Sequence, residues 1–114
     1  MFYKKLLGQQ GEKIALKYYQ KRGYKLITQN YYSRYGEIDL VLIKNNAITV
    51  VEVKTRIGQQ FSWPEESINN KKIANIYQTY QKLAREKKLP EFFYLDALII
   101  EINDKKAAIR RYKM

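Results

Sequence analysis

Apolar and polar positions along the chain change period several times, and each change marks an element. From Tyr3 to Arg22, Leu7, Gly11, Ile14, Ala15 and Tyr18 recur at helical spacing, and Gly23 then supplies a C-terminal stop, which predicts a first helix. "YKLITQN" reads as a short strand and "SRYG" as a turn. Period-two alternation predicts strands over Glu37–Ile43 and Ile48–Lys54, joined by "KNNA". Asparagine tolerates the positive φ of a two-residue hairpin turn, so Asn45-Asn46 suits that loop. "SWPEES" carries start signals for a second long helix, with Ser62 three residues before Glu65 and Pro64 in the first turn. Its expected stripe is Ile73, Ile76, Tyr77, Tyr80, Leu83 and Ala84, and Pro90 marks its end. "EFFYLDALIIEI" is a strong strand, "NDKK" a turn and "AAIRRY" a final strand. The expectation is an α/β fold in the order α-β-β-β-α-β-(β), a small mixed β-sheet flanked by helices, with residues 1–114 forming one domain.

The hairpin turn fixes a register with chemical consequences. With Lys44 opposite Ala47, Asp39 falls opposite Glu52 and Glu37 opposite Lys54. Directly opposed residues have Cβ atoms about 4.5–5.5 Å apart, so the two carboxylates project side by side. Alternation puts Glu37, Asp39, Val41, Val50, Glu52 and Lys54 on one face, and Ile38, Leu40, Leu42, Thr49, Val51 and Val53 on the other. Opposed like charges repel, and a divalent cation such as Mg²⁺ resolves the conflict because it takes hard oxygen ligands and keeps waters for a phosphate and a nucleophile. Lys54 on the same face suits a residue that orients water and stabilises developing charge. The same spacing also suits an ordinary Glu37–Lys54 cross-strand pair with the carboxylates at a solvated strand end. Glu12 and Lys72 each lie at the margin of a core-facing helical stripe; a solvated glutamate and a snorkelling lysine are the common readings of such positions.

Composition narrows the chemistry. The chain has no cysteine and no histidine, which excludes disulfide frameworks, thiolate and imidazole metal sites, and cysteine or serine–histidine catalysis. Its formal charge is +11, from 22 Lys and Arg against 11 Asp and Glu, which favours a polyanionic partner. Eleven tyrosines, several beside cations as in "NYYSRYG", and the basic tail "KKAAIRRYKM" favour nucleic acid, since aromatic rings stack on bases while cations hold phosphates. No apolar run approaches a membrane span, and "MFYKKLLGQQGEKIAL" turns polar too soon for a signal peptide, so we expect a cytoplasmic chain with no membrane partner.

Together, "GQQGEKIALKYYQKRGY", "QNYYSRYGEIDLVLI", "VVEVKTR" and the Lys72 helix resemble the YraN-like family of bacterial proteins. That family is similar to the restriction-endonuclease-like, PD-(D/E)xK nuclease superfamily, especially archaeal Holliday-junction resolvases. The resemblance covers about Gly8 to Ile100, and "GEIDL" followed by "VEVKTR" is its most specific part. It implies a restriction-endonuclease-like fold and an endonuclease acting on DNA, including branched DNA, with Mg²⁺ or Mn²⁺ as cofactor. It implies that Asp39, Glu52 and the Val53 carbonyl hold the metal, that Lys54 is the catalytic lysine, and that Glu12 is a further acidic member of the site. Substrate contact is implied for Lys72, and Glu37, Thr55 and Arg56 belong to the motifs. Residue 38 is isoleucine where the superfamily name expects proline, and Tyr94-Leu95-Asp96 replaces the usual Arg-Phe-Asp, leaving Asp96 a structural hydrogen bond. Arg34, Tyr35, Arg56 and Lys72 are the expected nucleic-acid contacts. A resolvase that cuts two strands symmetrically requires a homodimer. The alternatives are a binder that keeps the nuclease fold without turnover, and a structural domain whose charge provides only solubility.

Overall fold

The computed structural model describes residues 2–58 and 69–114, with side chains from residue 5 onward. The elements are helix α1 (Phe2–Gln20), strands β1 (Lys25–Ser33), β2 (Gly36–Lys44) and β3 (Ala47–Ile57), helix α2 (Asn70–Lys87), and strands β4 (Phe93–Asn103) and β5 (Lys106–Lys113). They form one mixed five-stranded sheet in the order β1-β2-β3-β4-β5. Only β3 and β4 run parallel, which is why a helix must cross between them. Among the described residues no helix is long and apolar enough to cross a membrane.

The two helices cover opposite faces. Ala15 and Tyr19 of α1 pack with Leu40, Leu42, Val51, Leu98 and Ile100. Ile76, Tyr80, Leu83 and Ala84 of α2 pack with Ile38, Val41, Ile48 and Val50. Helix α1 ends as a Schellman motif: Tyr24 N–H donates to Tyr19 carbonyl (3.1 Å), Gly23 N–H to Gln20 carbonyl (3.1 Å), and Gly23 has φ 89. Gly11 lets α1 approach β3, because a Cβ there would lie 1.7 Å from Thr55 Oγ1.

The hairpin is as the register required. Asn45 and Asn46 have φ 51 and 63, and Lys44 pairs with Ala47. The capping box at Ser62–Glu65 lies outside the described residues; within them, α2 is capped by Asn69, whose Oδ1 accepts from Lys72 N–H at 2.8 Å. Two expected faces need correction. Ile73 and Tyr77 are exposed and Thr79 is buried, because a single packed face of α2 accommodates only the rows through Ile76, Thr79, Tyr80, Leu83 and Ala84. Ile38 packs on the α2 side with Val41, not with Leu40 and Leu42. At the same level Asn30, which the β1–β2 register places beside Asp39, has φ 52, so the backbone departs from regular strand geometry there.

Candidate active site

The candidate site lies where β2 and β3 part. Their regular pairing runs from Lys44↔Ala47 to Leu40↔Val51, and β3 then continues beside β4 alone as far as Ile57. A fork in a sheet leaves backbone amides without partners, which burial makes costly. Here the carboxylates take them: Asp39 N–H donates to Glu52 Oε2 at 3.2 Å, and Val53 N–H donates to Asp39 Oδ2 at 2.7 Å. Each acid thus bonds the backbone of the opposite strand, and the pair expected from the hairpin register is brought together at the fork. One oxygen of each group is committed in this way, which leaves Asp39 Oδ1 and Glu52 Oε1 to face other partners.

Burial sets the electrostatics. Glu52 is 7% exposed, and its pKa is raised chiefly by loss of water and next by the Asp39 charge. Asp39 is raised for the same leading reason; its amide bond from Val53 opposes the shift, and the charges of Glu12 and Glu37 add to it. Lys72 reaches across from the first turn of α2, its Nζ 3.9 Å from Glu52 Oε1 with its side chain 46% exposed, and it lowers both acids. Glu12, on α1, has its own pKa raised mainly by burial, a shift that the neighbouring Asn30 side chain opposes. It reaches Asp39 as a charge, through space. Among the described residues no three acidic side chains gather tightly enough to hold a metal ion by themselves. The donor set is therefore two carboxylates with the neighbouring backbone, hard oxygens of the kind that Mg²⁺ accepts when it keeps several waters.

The other expected residues divide. Lys54 is exposed two positions beyond Glu52, on the α2 side of β3. Tyr35 and Arg34 sit at the β1–β2 turn, with Arg34 donating to Tyr35 Oη at 2.7 Å. Tyr35, Glu37 and Lys72 share a cleft of about 310 Å³ with Asn69, Asn75 and Thr79, which the sequence pattern did not single out. Arg56 is buried in β3. The basic tail forms β5 and is partly spent inside the fold: Arg110 pairs with Glu101 at 3.3 Å, and Arg111 with Asp96 at 2.8 Å. Asp96 also accepts from Tyr19 Oη at 2.7 Å, so it has the structural hydrogen bond expected of it.

The chain belongs to the family described as Uncharacterised protein family UPF0102, whose model matches residues 11–102. A UPF0102 protein of Syntrophomonas wolfei is 40% identical over 106 residues, covering 90% of each chain. Another, from Caldanaerobacter subterraneus, is 36% identical over 111 residues, 95% of this chain and 89% of the relative. A third, from Alkaliphilus oremlandii, is 34% identical over 108 residues and covers 92% of both. The matched span runs from the close approach of α1 at Gly11 through the fork to the end of β4.

Proposed function

We propose that this protein is a divalent-metal-dependent endonuclease that hydrolyses phosphodiester bonds in DNA, including branched or otherwise structured DNA. The observation that carries the reading is the Asp39–Glu52 pair: a buried and a half-buried carboxylate held side by side, both with raised pKa values, where a cation would relieve their mutual repulsion. A purely structural role could be filled by neutral amides at far lower cost. Asp39, Glu52 and the Val53 carbonyl would hold Mg²⁺ or Mn²⁺, and Glu12 would bias the site further toward cations from α1. When bound, the metal supplies positive charge to a phosphate oxygen and acidifies a water. The chain's own residues do the rest. Lys54 Nζ, exposed on the same side of β3 as Glu52, orients the attacking water and stabilises negative charge as it builds on the phosphate. Lys72 balances Glu52 when no metal is present and contacts a phosphate when substrate arrives. The likeness of the motifs to PD-(D/E)xK nucleases supports the same roles. Symmetrical cleavage of a junction would need two copies related by a twofold axis.

The test is cleavage of labelled linear, flapped and four-way DNA with Mg²⁺, Mn²⁺ or chelator. Metal-dependent cleavage that vanishes in Lys54→Ala and Asp39→Asn is expected; cleavage surviving at wild-type rate in Lys54→Ala contradicts the proposal. One observation favours a second reading, a nucleic-acid binder without turnover. Lys72 already stands 3.9 Å from Glu52 and supplies part of the positive charge that a metal would bring. That reading expects DNA binding that falls steeply with salt and is indifferent to metal.

A further inference from the structure

The cleft beside the carboxylates has a lining that a metal site does not need. It is framed by the β1–β2 turn on one side and the first turns of α2 on the other, with a volume of about 310 Å³. Tyr35 supplies an aromatic ring that is 37% exposed, and Asn69 and Asn75 contribute amides. Lys72 lines the cleft and also approaches Glu52, so the cleft and the acid pair are immediate neighbours. The frame is fixed before any ligand arrives. Thr79, 1% exposed, is hydrogen-bonded through Oγ1 to Ser33 Oγ at 2.7 Å, which ties α2 to the turn. Ser33 Oγ also accepts from Tyr35 N–H at 3.0 Å and donates to the Gly36 carbonyl at 3.4 Å, holding the backbone that carries the ring. Arg34 donates to the Tyr35 hydroxyl, and its guanidinium carbon lies 4.9 Å from the ring centroid.

This combination suits a planar heterocycle attached to an anion. A phosphate alone has no use for an aromatic ring, and a duplex running straight past the site would leave the cleft empty. Aromatic rings stack on any base, asparagine amides read base edges, and the volume is at the lower end of ordinary small-ligand pockets. We infer that the cleft receives one unpaired nucleotide of the bound strand, next to the phosphate that a cation at Asp39 and Glu52 would hold. The inference rests on the nuclease reading for that neighbouring phosphate, but the binding step itself requires no metal. It makes the preferred substrate a nucleic acid with an extruded or single-stranded base. Extrusion is least costly where the base is already unpaired, so bulges, flaps and junction centres are favoured over continuous duplex.

The experiment compares two dye-labelled duplexes, identical except that one carries a single unpaired adenine, by fluorescence anisotropy with the full chain in chelator, so that nothing is cut. Binding about tenfold tighter to the bulged duplex is expected, within the range that stacking one base on a ring supplies. Tyr35→Ala and Asn75→Ala should each shrink the ratio of the two affinities, and Tyr35→Phe should keep it, with circular dichroism confirming the fold. Equal affinity for both duplexes, or an unchanged ratio in both alanine variants, overturns the inference. Cleavage with Mn²⁺ is scored separately. A bulge preference without cleavage upholds the cleft and removes the nuclease reading, whereas cleavage without a preference removes only the cleft.

Discussion

Two glycines on the same helix should respond in opposite directions to the same added methyl group. Gly8 and Gly11 both lie within α1, where replacing glycine by alanine recovers roughly 0.5–1 kcal/mol of backbone entropy. At Gly8 a Cβ would meet nothing within 4 Å, so Gly8→Ala should stabilise the protein by about that amount. At Gly11 the new atom would lie 1.7 Å from Thr55 Oγ1, 2.9 Å from Thr55 Cβ and 3.2 Å from Thr55 Cγ2. Rotating Thr55 can turn its Cβ hydrogen toward the helix, but Cβ itself, at 2.9 Å, cannot move without the strand. Helix α1 must therefore shift away from β3. Overpacking of this kind costs about 1–3 kcal/mol, which outweighs the helix propensity gained and leaves Gly11→Ala less stable by about 1–2 kcal/mol. Urea denaturation followed by far-UV circular dichroism measures both variants. Thr55→Ala removes Oγ1 and Cγ2 but not Cβ, so combining it with Gly11→Ala should recover part of the loss, appearing as a coupling energy in a double-mutant cycle. The shift also carries Glu12, the next residue, away from Asp39. If Gly11→Ala is as stable as wild type, or if the two glycine variants move together, the close α1–β3 approach is not as described.

Other predictions concern charges and caps. In chelator, Asp39 and Glu52 have folded pKa values raised above those of the unfolded chain. Their contribution to stability is therefore fully present below the unfolded carboxylate value of about 4 and is lost as pH rises through the folded values. Denaturation across that window should show stability falling with pH in wild type, and Glu52→Gln should flatten the fall. Arg111→Met leaves Asp96, 1% exposed, with its charge uncompensated and should cost about 3–5 kcal/mol, whereas Tyr19→Phe removes one hydrogen bond to the same oxygen and should cost about 1.5–3 kcal/mol, both read by urea denaturation. Lys88 ends α2 with φ 55 and ψ 50, a conformation that glycine adopts without strain, so Lys88→Gly should raise stability by about 1 kcal/mol in thermal or urea melts.

What the sequence made legible was local. Alternation between Glu37 and Lys54, with two asparagines that accept positive φ, was enough to place the hairpin and to set Asp39 beside Glu52. Helical periodicity placed Gly11, Ala15 and Tyr18 toward the sheet but missed Tyr19, the residue that reaches Asp96. That contact joins positions 77 apart, and its arginine partner comes from the last strand, so no local pattern carries it. The fork escaped notice for a related reason. It lets carboxylates replace the ladder where simple alternation would have continued it, and neither β2 nor β3 carries a local signal for that exchange. Asn69, Asn75 and Thr79 carry no motif; only the packing of α2 against the β1–β2 turn makes them the wall of a cleft.

Asp39 and Glu52 are proposed to form a cation site, and calorimetric titration of Mn²⁺ decides whether they do. The titration is run on wild type and on Asp39→Asn/Glu52→Gln, with and without DNA, after circular dichroism has shown both to be folded. Saturable binding in wild type that is absent from the double variant is the predicted result. No binding in wild type even with DNA present, or equal binding in the two proteins, would contradict the proposal and leave the pair as acids whose work is to satisfy the amides of a forked sheet.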